Sequence, residues 1–376
     1  MGKFNLKTKV SFGLNSLNCL KAMYGGKAFI VTDEAMQKLG FVDKVTTLLQ
    51  DAGFTYKIFA DVVPDPDIKI VTYGLKQMME TASDVIIAVG GGSVIDSAKC
   101  ILYTYAKMTV EEEVKLPKLI AIPTTSGTGS EVTAFSVITI NGEKLCLIDD
   151  IMMPDYAIVD PVFVKTLPSF VTAETGLDAL SHAIEAYVST NSTDFTDALV
   201  EKSVKLLFDN LLLVYRQNSD MLARERVHNA SCMAGMAFTN TSLGITHSIA
   251  HAIGGIFHLS HGRTVGIMLP HVIAYNANIK TGSHHKIIEK YARLAKIIGL
   301  PANNAYEGCQ NLIRTIRVLM QEMNVPIRFS GCEITEELYK EKLPIITRLA
   351  LADNCTLTNP RIPDDKDVIK LVLDAY

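Results

Sequence analysis

Two hydrophobic patterns alternate through about residue 165. Short, β-branched apolar runs, "KAFIVT" (27–32), "YKIFA" (56–60), "DVIIAVG" (84–90), "KLIAIPT" (118–124) and "YAIVD" (156–160), are separated by segments such as "EAMQKLGFVDKVTTLLQ" (34–50) with apolar residues every three or four positions. Unbroken apolar runs belong to strands covered on both faces, and helical segments between them supply the cover. This predicts an α/β half built on a parallel sheet. After "TLPSF" (166–170) the strand pattern ends, and stretches such as "DFTDALVEKSVKLLFDNLLLVYRQ" (194–217) keep the helical period, predicting an all-helical second half. The two prolines of "PVFVKTLPSF" (161–170) mark the junction, so the expected domains are 1–167 and 168–376.

Composition narrows the class. The chain has 376 residues, more than a single core usually organises, which agrees with two domains. Although 48% of residues are hydrophobic, no run approaches the ~18 apolar residues of a membrane helix. The start, "MGKFNLKTKV", carries neither a secretory apolar segment nor a myristoylation pattern, so a cytoplasmic location is expected, away from membranes. Seven scattered cysteines, none in a C-x-x-C pair, argue against disulfides and thiolate zinc knots. A net charge of −4 without basic runs gives no footprint for nucleic acid.

Chemistry enters at two loops. "DVIIAVGGGSVIDSAK" reads as a buried strand, then Gly90, Gly91, Gly92 and Ser93, then a helix. Glycines there let backbone N–H groups approach a pyrophosphate, and the helix N-terminus adds partial positive charge. A second small, hydroxyl-rich loop, "IPTTSGTGSE", ends another strand at Thr124, Thr125 and Thr128, at the sheet edge where open α/β proteins bind ligands. Asp33, closing "KAFIVT", could accept from a ribose hydroxyl and would repel a 2′-phosphate, favouring NAD over NADP. It precedes the glycine loop, whereas the common dinucleotide fingerprint places its acid afterwards. The structural alternative is that Asp33 caps the next helix and the threonines tie down turns.

The helical half opens with "TAETGLDALSHAIEAY", where Asp178 and His182 sit four apart on one helix face beside an apolar stripe of Leu177, Leu180, Ile184 and Tyr187. A carboxylate held against a core needs a partner. "GITHSIAHAIGGIFHLSHG" (244–262) then gathers four of the nine histidines: His247 and His251, four apart, with His258 and His261. Ser248, where zinc proteases place a glutamate, removes that chemistry. One carboxylate with three imidazoles suits Fe(II) or Zn(II); spacing names neither the ion nor which three histidines bind.

"GGGSVIDSAK", "PTTSGTGSEVT", "TAETGLDALSHAIEAY", "HSIAHAIGGIFHLSHG", "LPHVI" and "TNPR", in this order over essentially the whole chain, resemble the iron-containing (group III) alcohol dehydrogenases. "DFTDALVEKSVKLLF", "HNASCMAGMAF" and "YARLAKIIG" most resemble the 1-propanol dehydrogenases of propanediol- and ethanolamine-utilisation systems within that family. The resemblance implies a Rossmann-like dinucleotide domain followed by a helical metal domain, an architecture shared with dehydroquinate synthases. It implies metal ligation by Asp178, His182, His247 and His261, and makes His251 a proton relay beside the metal. It also implies a cofactor site lined by Asp33, Asp65, Gly91, Gly92, Ser93, Asp96, Thr124, Thr125, Thr128 and Lys144. Arg263 departs from the apolar residue that relatives often carry there, and so questions an uncharged substrate.

The implied reaction is hydride transfer between NAD(H) and a small alcohol or aldehyde across the two halves, with Fe(II), or Zn(II), polarising the carbonyl. Propionaldehyde and 1-propanol are the expected pair. A diol, glycerol or hydroxy-acid dehydrogenase is the near alternative and a dehydroquinate synthase-like lyase the distant one. Glu174 or Glu185 could orient a ligating histidine. A homodimer or larger homo-oligomer, with association to a bacterial microcompartment, completes the expectation.

Overall fold

The computed structural model describes residues 3–23, 25–109, 114–140, 143–278 and 285–376. Two compact units divide the described residues, one within residues 5–166 and one within 167–376, the latter joined by Lys3 and Phe4. Phe4 stacks on Phe195 at 5.5 Å, which ties that N-terminal tip to the helical unit.

In the first unit the strands are β1 (Lys9–Phe12), β2 (Gly26–Thr32), β3 (Phe54–Phe59), β4 (Val85–Gly90), β5 (Lys118–Pro123), β6 (Phe135–Ile140), β7 (Glu143–Ile148) and β8 (Tyr156–Val159). Six of them form a sheet in the order β1-β8-β5-β4-β2-β3, and every pair in it is parallel. The helices are α1 (Glu34–Lys38), α2 (Phe41–Asp51), α3 (Ile68–Thr81) and α4 (Gly92–Met108). Strand alternation divides the core between the two faces. Ile86 and Ala88 of β4 pack with Val71 and Leu75 of α3 and Ile95 and Ile101 of α4, whereas Ile87 and Val89 pack with Val42, Val45 and Leu49 of α2. The sheet is thus covered on both faces, as its unbroken apolar runs predict.

Two features were not anticipated. β1 is a four-residue edge strand too short to show a period. After β5 the helical alternation gives way to an antiparallel hairpin, β6–β7, with Ile140 opposite Glu143. Its sequence signal is Asn141-Gly142, the strongest short hairpin dipeptide, which itself lies outside the described residues.

The second unit contains α5 (Ser169–Val188), α6 (Asp194–Arg216), α7 (Met221–Thr241), α8 (Ile245–Phe257), α9 (His261–Asn276), α10 (His285–Ile297), α11 (Ala305–Glu322), α12 (Glu336–Glu341), α13 (Leu343–Ala352) and α14 (Asp365–Asp374). It carries no strand among the described residues, as expected. α5 is buried along nearly its whole length and packs against α6, α7 and α9. A helix covered on every side is apolar all round, so the ionisable groups it buries, Asp178, His182 and Glu185 among them, have a specific reason to be there. No described helix is long and apolar enough to cross a membrane.

Candidate metal centre and cofactor loops

The four acidic and imidazole groups named from the resemblance come together. Ligand atoms of Asp178, His182, His247 and His261 all lie within 4.8 Å of one another. The Nε2 atoms of His182, His247 and His261 stand 3.6, 3.7 and 3.3 Å from a single oxygen, Asp178 Oδ1. A tetrahedral ion with bonds of ~2.0–2.1 Å separates its ligands by about 3.3–3.4 Å, so the donors already have nearly the spacing that an ion would impose. Asp178 Oδ1 and His247 Nε2 are buried without a hydrogen-bond partner among the described residues. Buried polar atoms are almost always satisfied, and two orphans facing each other are explained by a bound cation. The residues therefore fit a divalent metal.

Each donor is held by a named device. Asp178 and His182 are one turn apart on α5, and the His182 ring is sandwiched between Phe238 of α7 and His247, at centroid distances of 4.4 and 4.6 Å. His247 is oriented by Glu185, whose Oε2 lies 2.5 Å from its Nδ1. Nδ1–H is thus committed to the carboxylate, and Nε2 is left as the donor toward the metal. Glu185 also accepts from the N–H groups of Gly244 and Thr246, at 3.1 and 2.6 Å, and so caps the start of α8. Burial would raise the Glu185 pKa, but the charge and hydrogen bond of His247 with the Thr246 N–H hold it below the usual value. Asp178 behaves likewise: burial opposes its ionisation, and the surrounding imidazoles keep it well below the usual carboxylate range.

His261 begins α9. The next residue, Gly262, lies against the α5 backbone so closely that a Cβ would sit 2.1 Å from the Glu174 carbonyl oxygen. Arg263 then donates from Nε to Glu174 Oε1 at 2.9 Å, and its Nη2 stands 2.7 Å from the same atom. Of the two glutamates considered as orienting groups, Glu185 takes that duty and Glu174 binds Arg263. The isolated cation that raised a doubt about substrate charge is ion-paired. His258 is the exposed, left-handed C-cap of α8 with φ 53° and stands outside the cluster.

His251, one turn after His247, is not in the four-donor set. Its ring stacks on His261 at 5.3 Å, and its Nδ1 is 2.8 Å from Asp353 Oδ2. Burial would raise the Asp353 pKa, yet His251 and the Cys355 N–H bring it to about 2. Asp353 was not found from sequence. Its only local signal is an acid opening a turn in "ADNCT", where it caps residues 354–358. Asn359 of "TNPR" is a brace: its Oδ1 accepts from the Ile245 N–H at 3.3 Å and from Asn276 at 3.1 Å, joining the start of α8 to the end of α9.

In the first unit, Asp33, Gly91 and Thr124 follow the carboxyl ends of three neighbouring strands, β2, β4 and β5, with Thr32 in register with Val89 and Gly90 with Pro123. Strand order reverses between β2 and β4, the place where such sheets bind ligands. Gly91 is the N-cap of α4. The two loops touch: a Cβ on Gly91 would lie 3.2 Å from Thr125, and one on Gly92 would lie 2.8 Å from Thr128. Glycine is required by this close approach. Asp33 does cap α1, its Oδ1 accepting from the Met36 N–H at 2.9 Å, so one carboxylate oxygen is committed.

Asp96, implied as a cofactor contact, has a structural duty in this fold. Its Oδ1 accepts from Ser130 Oγ at 2.7 Å and its Oδ2 from the Val137 N–H at 3.0 Å, so both oxygens hold the segment leading from the threonine loop into β6. Asp65 is exposed, with φ 52°, beside the hairpin: the Thr139 N–H donates to the neighbouring Pro66 carbonyl at 2.9 Å. Lys144 sits opposite Thr139 in the hairpin, and its side chain lies outside the described residues.

The family described as iron-containing alcohol dehydrogenase matches residues 7–161, and its C-terminal counterpart matches residues 172–376. The chain belongs to the iron-containing alcohol dehydrogenase family. It is 41% identical to an aldehyde-alcohol dehydrogenase of Streptococcus pneumoniae over 99% of this chain but only 45% of that protein, so it spans about half the length of such relatives. It is 40% identical to the NADPH-dependent butanol dehydrogenase of Clostridium saccharobutylicum, covering 100% of this chain and 98% of the relative. It is 39% identical to the 1-propanol dehydrogenase PduQ of Citrobacter freundii, covering 97% of each. The solved structure of a 1,3-propanediol oxidoreductase superposes over 100% of both chains with a TM-score of 0.90 at 30% identity.

One prediction follows from the Glu185 bridge. Glu185→Gln is expected to weaken metal binding about 10–100-fold, because a neutral amide oxygen accepts the His247 Nδ1–H more weakly than a carboxylate and raises the basicity of the ligating nitrogen less. Competition with a chromogenic chelator measures this, and an unchanged affinity would remove the orienting role.

Proposed function

We propose that the chain is a metal-dependent, NAD(H)-linked alcohol dehydrogenase interconverting short-chain primary alcohols and aldehydes, with propionaldehyde and 1-propanol as the preferred pair. The observation that carries this reading is the convergence of three imidazole nitrogens on one buried, unsatisfied carboxylate oxygen. When bound there, Fe(II), or Zn(II) as the other ion suited to these donors, supplies Lewis-acid polarisation of a carbonyl that NADH reduces.

The remaining work falls to the chain's own residues. Asp178, His182, His247 and His261 hold the ion, and Glu185 keeps His247 in the ligating tautomer. Asp353 accepts from His251 Nδ1–H, so His251 Nε2 is free to pass a proton toward the substrate oxygen. The N–H groups at Gly92 and Ser93, with Gly91, Thr124, Thr125 and Thr128, receive the pyrophosphate, while Asp65 and Lys144 border the cofactor. Asp33 retains one carboxylate oxygen for a ribose hydroxyl, and its charge disfavours a 2′-phosphate, although the butanol relative is named for NADPH.

Arg263 is neutralised by Glu174, so an anionic aldehyde or a phosphorylated sugar would find no unpaired guanidinium at this position. This supports a neutral substrate over the hydroxy-acid and lyase alternatives. A homodimer or larger assembly in the cytoplasm, associated with a microcompartment as the propanediol-utilisation likeness implies, belongs to the same reading.

The test is NADH consumption by anaerobically prepared, Fe(II)-loaded protein across an aldehyde panel. Propionaldehyde is expected to exceed an anionic aldehyde of similar length at least tenfold in kcat/KM, about 1.4 kcal/mol of discrimination. No oxidation of NADH with any aldehyde would sink the proposal, and preference for the anionic one would overturn the substrate assignment.

A further inference from the structure

A second constellation lies beside the first and has no part in holding its ion. One potential ligand atom from each of His251, Asp353 and Cys355 lies within 4.8 Å of the other two. We propose that these three residues form a second metal site, selective for a thiolate-seeking divalent ion such as Zn2+, whose occupation takes His251 out of the proton path.

The local fold builds the site from two elements. Asp353 caps the turn at residues 354–358, and its Oδ1 accepts from the Cys355 N–H at 2.8 Å, which fixes the thiol two residues from the carboxylate. His251 comes from α8, and Thr356 locks that helix to the turn by hydrogen bonds to Ser248 Oγ at 2.8 Å and the Ala350 carbonyl at 2.7 Å. Cys355 is buried and outside any disulfide, whereas the His251 and Asp353 side chains retain 23% and 19% exposure, enough to admit an ion from solvent.

Donor chemistry separates this site from its neighbour. The first centre offers one oxygen and three nitrogens; this one offers sulfur, nitrogen and oxygen, a set that draws zinc more strongly than it draws Fe(II). Tetrahedral zinc separates such ligands by about 3.3–3.6 Å, so the trio closes around an ion by small side-chain rotations. Three protein ligands leave a fourth position for water. Because His251 stacks on His261, an ion held here sits next to the first centre. The inhibitory consequence, unlike the site itself, rests on the proton-relay role given to His251 under Proposed function.

Cobalt reports the two sites separately, since only the second contains a thiolate. Metal-free protein titrated with Co2+ is expected to take a first equivalent without a sulfur-to-cobalt charge-transfer band and a second equivalent with one. Cys355→Ser and Cys355→Ala should keep the first equivalent and lose the band. In Fe(II)-loaded enzyme, added Zn2+ is expected to lower NADH oxidation at least tenfold while metal analysis shows iron retained, and both Cys355 variants should resist it. Uptake of one equivalent only, a band that survives in the Cys355 variants, or inhibition accompanied by iron loss overturns the site. A second zinc bound through Cys355 with turnover unchanged overturns the inhibition and the His251 relay together, while the site stands.

Discussion

Alanine at His247 is expected to empty the metal centre and end turnover, whereas alanine at His251 should leave the metal bound and slow turnover by about 10²–10⁴-fold, the usual worth of a positioned proton carrier. The two histidines are four apart on α8 and look equivalent in sequence, but their surroundings differ. His247 is fully buried, with Nε2 aimed at Asp178 Oδ1 and Nδ1 held by Glu185. Burial would depress its pKa, but the charges of Glu185 and Asp178 raise it to about 9, a measure of how strongly the pocket seeks positive charge there. A metal ion meets that demand, and truncating the imidazole removes one of four donors. His251 is partly exposed and points its Nδ1 away from the cluster toward Asp353. Metal content by mass spectrometry and NADH oxidation rates, read on both variants, check the contrast. Equal metal loss would overturn it.

Lys99→Met is expected to destabilise the sheet-containing unit by about 3 kcal/mol, the lower end for breaking a buried charged network. For a unit of this size that lowers Tm by roughly 6–12 °C. Lys99 is fully buried in α4, and its ammonium donates to Ser130 Oγ, Thr133 Oγ1 and the Phe135 carbonyl at 2.8, 3.0 and 2.8 Å. One turn earlier, Asp96 binds the same segment. Methionine fills the stem volume but takes the ammonium donor away from three oxygens and leaves the Asp96 carboxylate without its nearby cation. The threonine loop that precedes Ser130 loses its tether, so KM for NADH should rise more than kcat falls. Burial pushes the Lys99 pKa down to about 8, against the charges of Asp96 and Glu131. Between that value and the ~10.4 of an exposed lysine the unfolded chain binds more protons, so this group makes stability rise with pH across the interval. Chemical denaturation of both proteins at pH 8 and 10 checks the sign: the wild type should gain relative to Lys99→Met.

Sequence by itself determined the division into a sheet half and a helical half, the five main strands, the glycine and threonine loops, and a cluster of one aspartate with several histidines. Each of these is written locally. A strand buried on both faces must be apolar along its whole length, a helix must repeat its apolar face every turn, and a loop that touches another backbone must discard its side chains. The hairpin escaped because its two strands follow β5 where a helix was expected, although Asn141-Gly142 lay between them.

What only the tertiary structure decided are pairings between residues far apart in the chain. That Glu185, and not Glu174, orients His247 depends on α8 starting against the C-terminal end of α5. That Arg263 is neutralised depends on Gly262 letting α9 approach the α5 backbone. His251 meets Asp353 across 102 residues, and no spacing rule reaches that distance. Asp96 and Lys99 acquire their partners only where the segment after the threonine loop folds over them. Periodicity records which face of an element is buried; which polar group meets which is decided by packing, because a buried charge is stable only beside the partner that the fold brings to it.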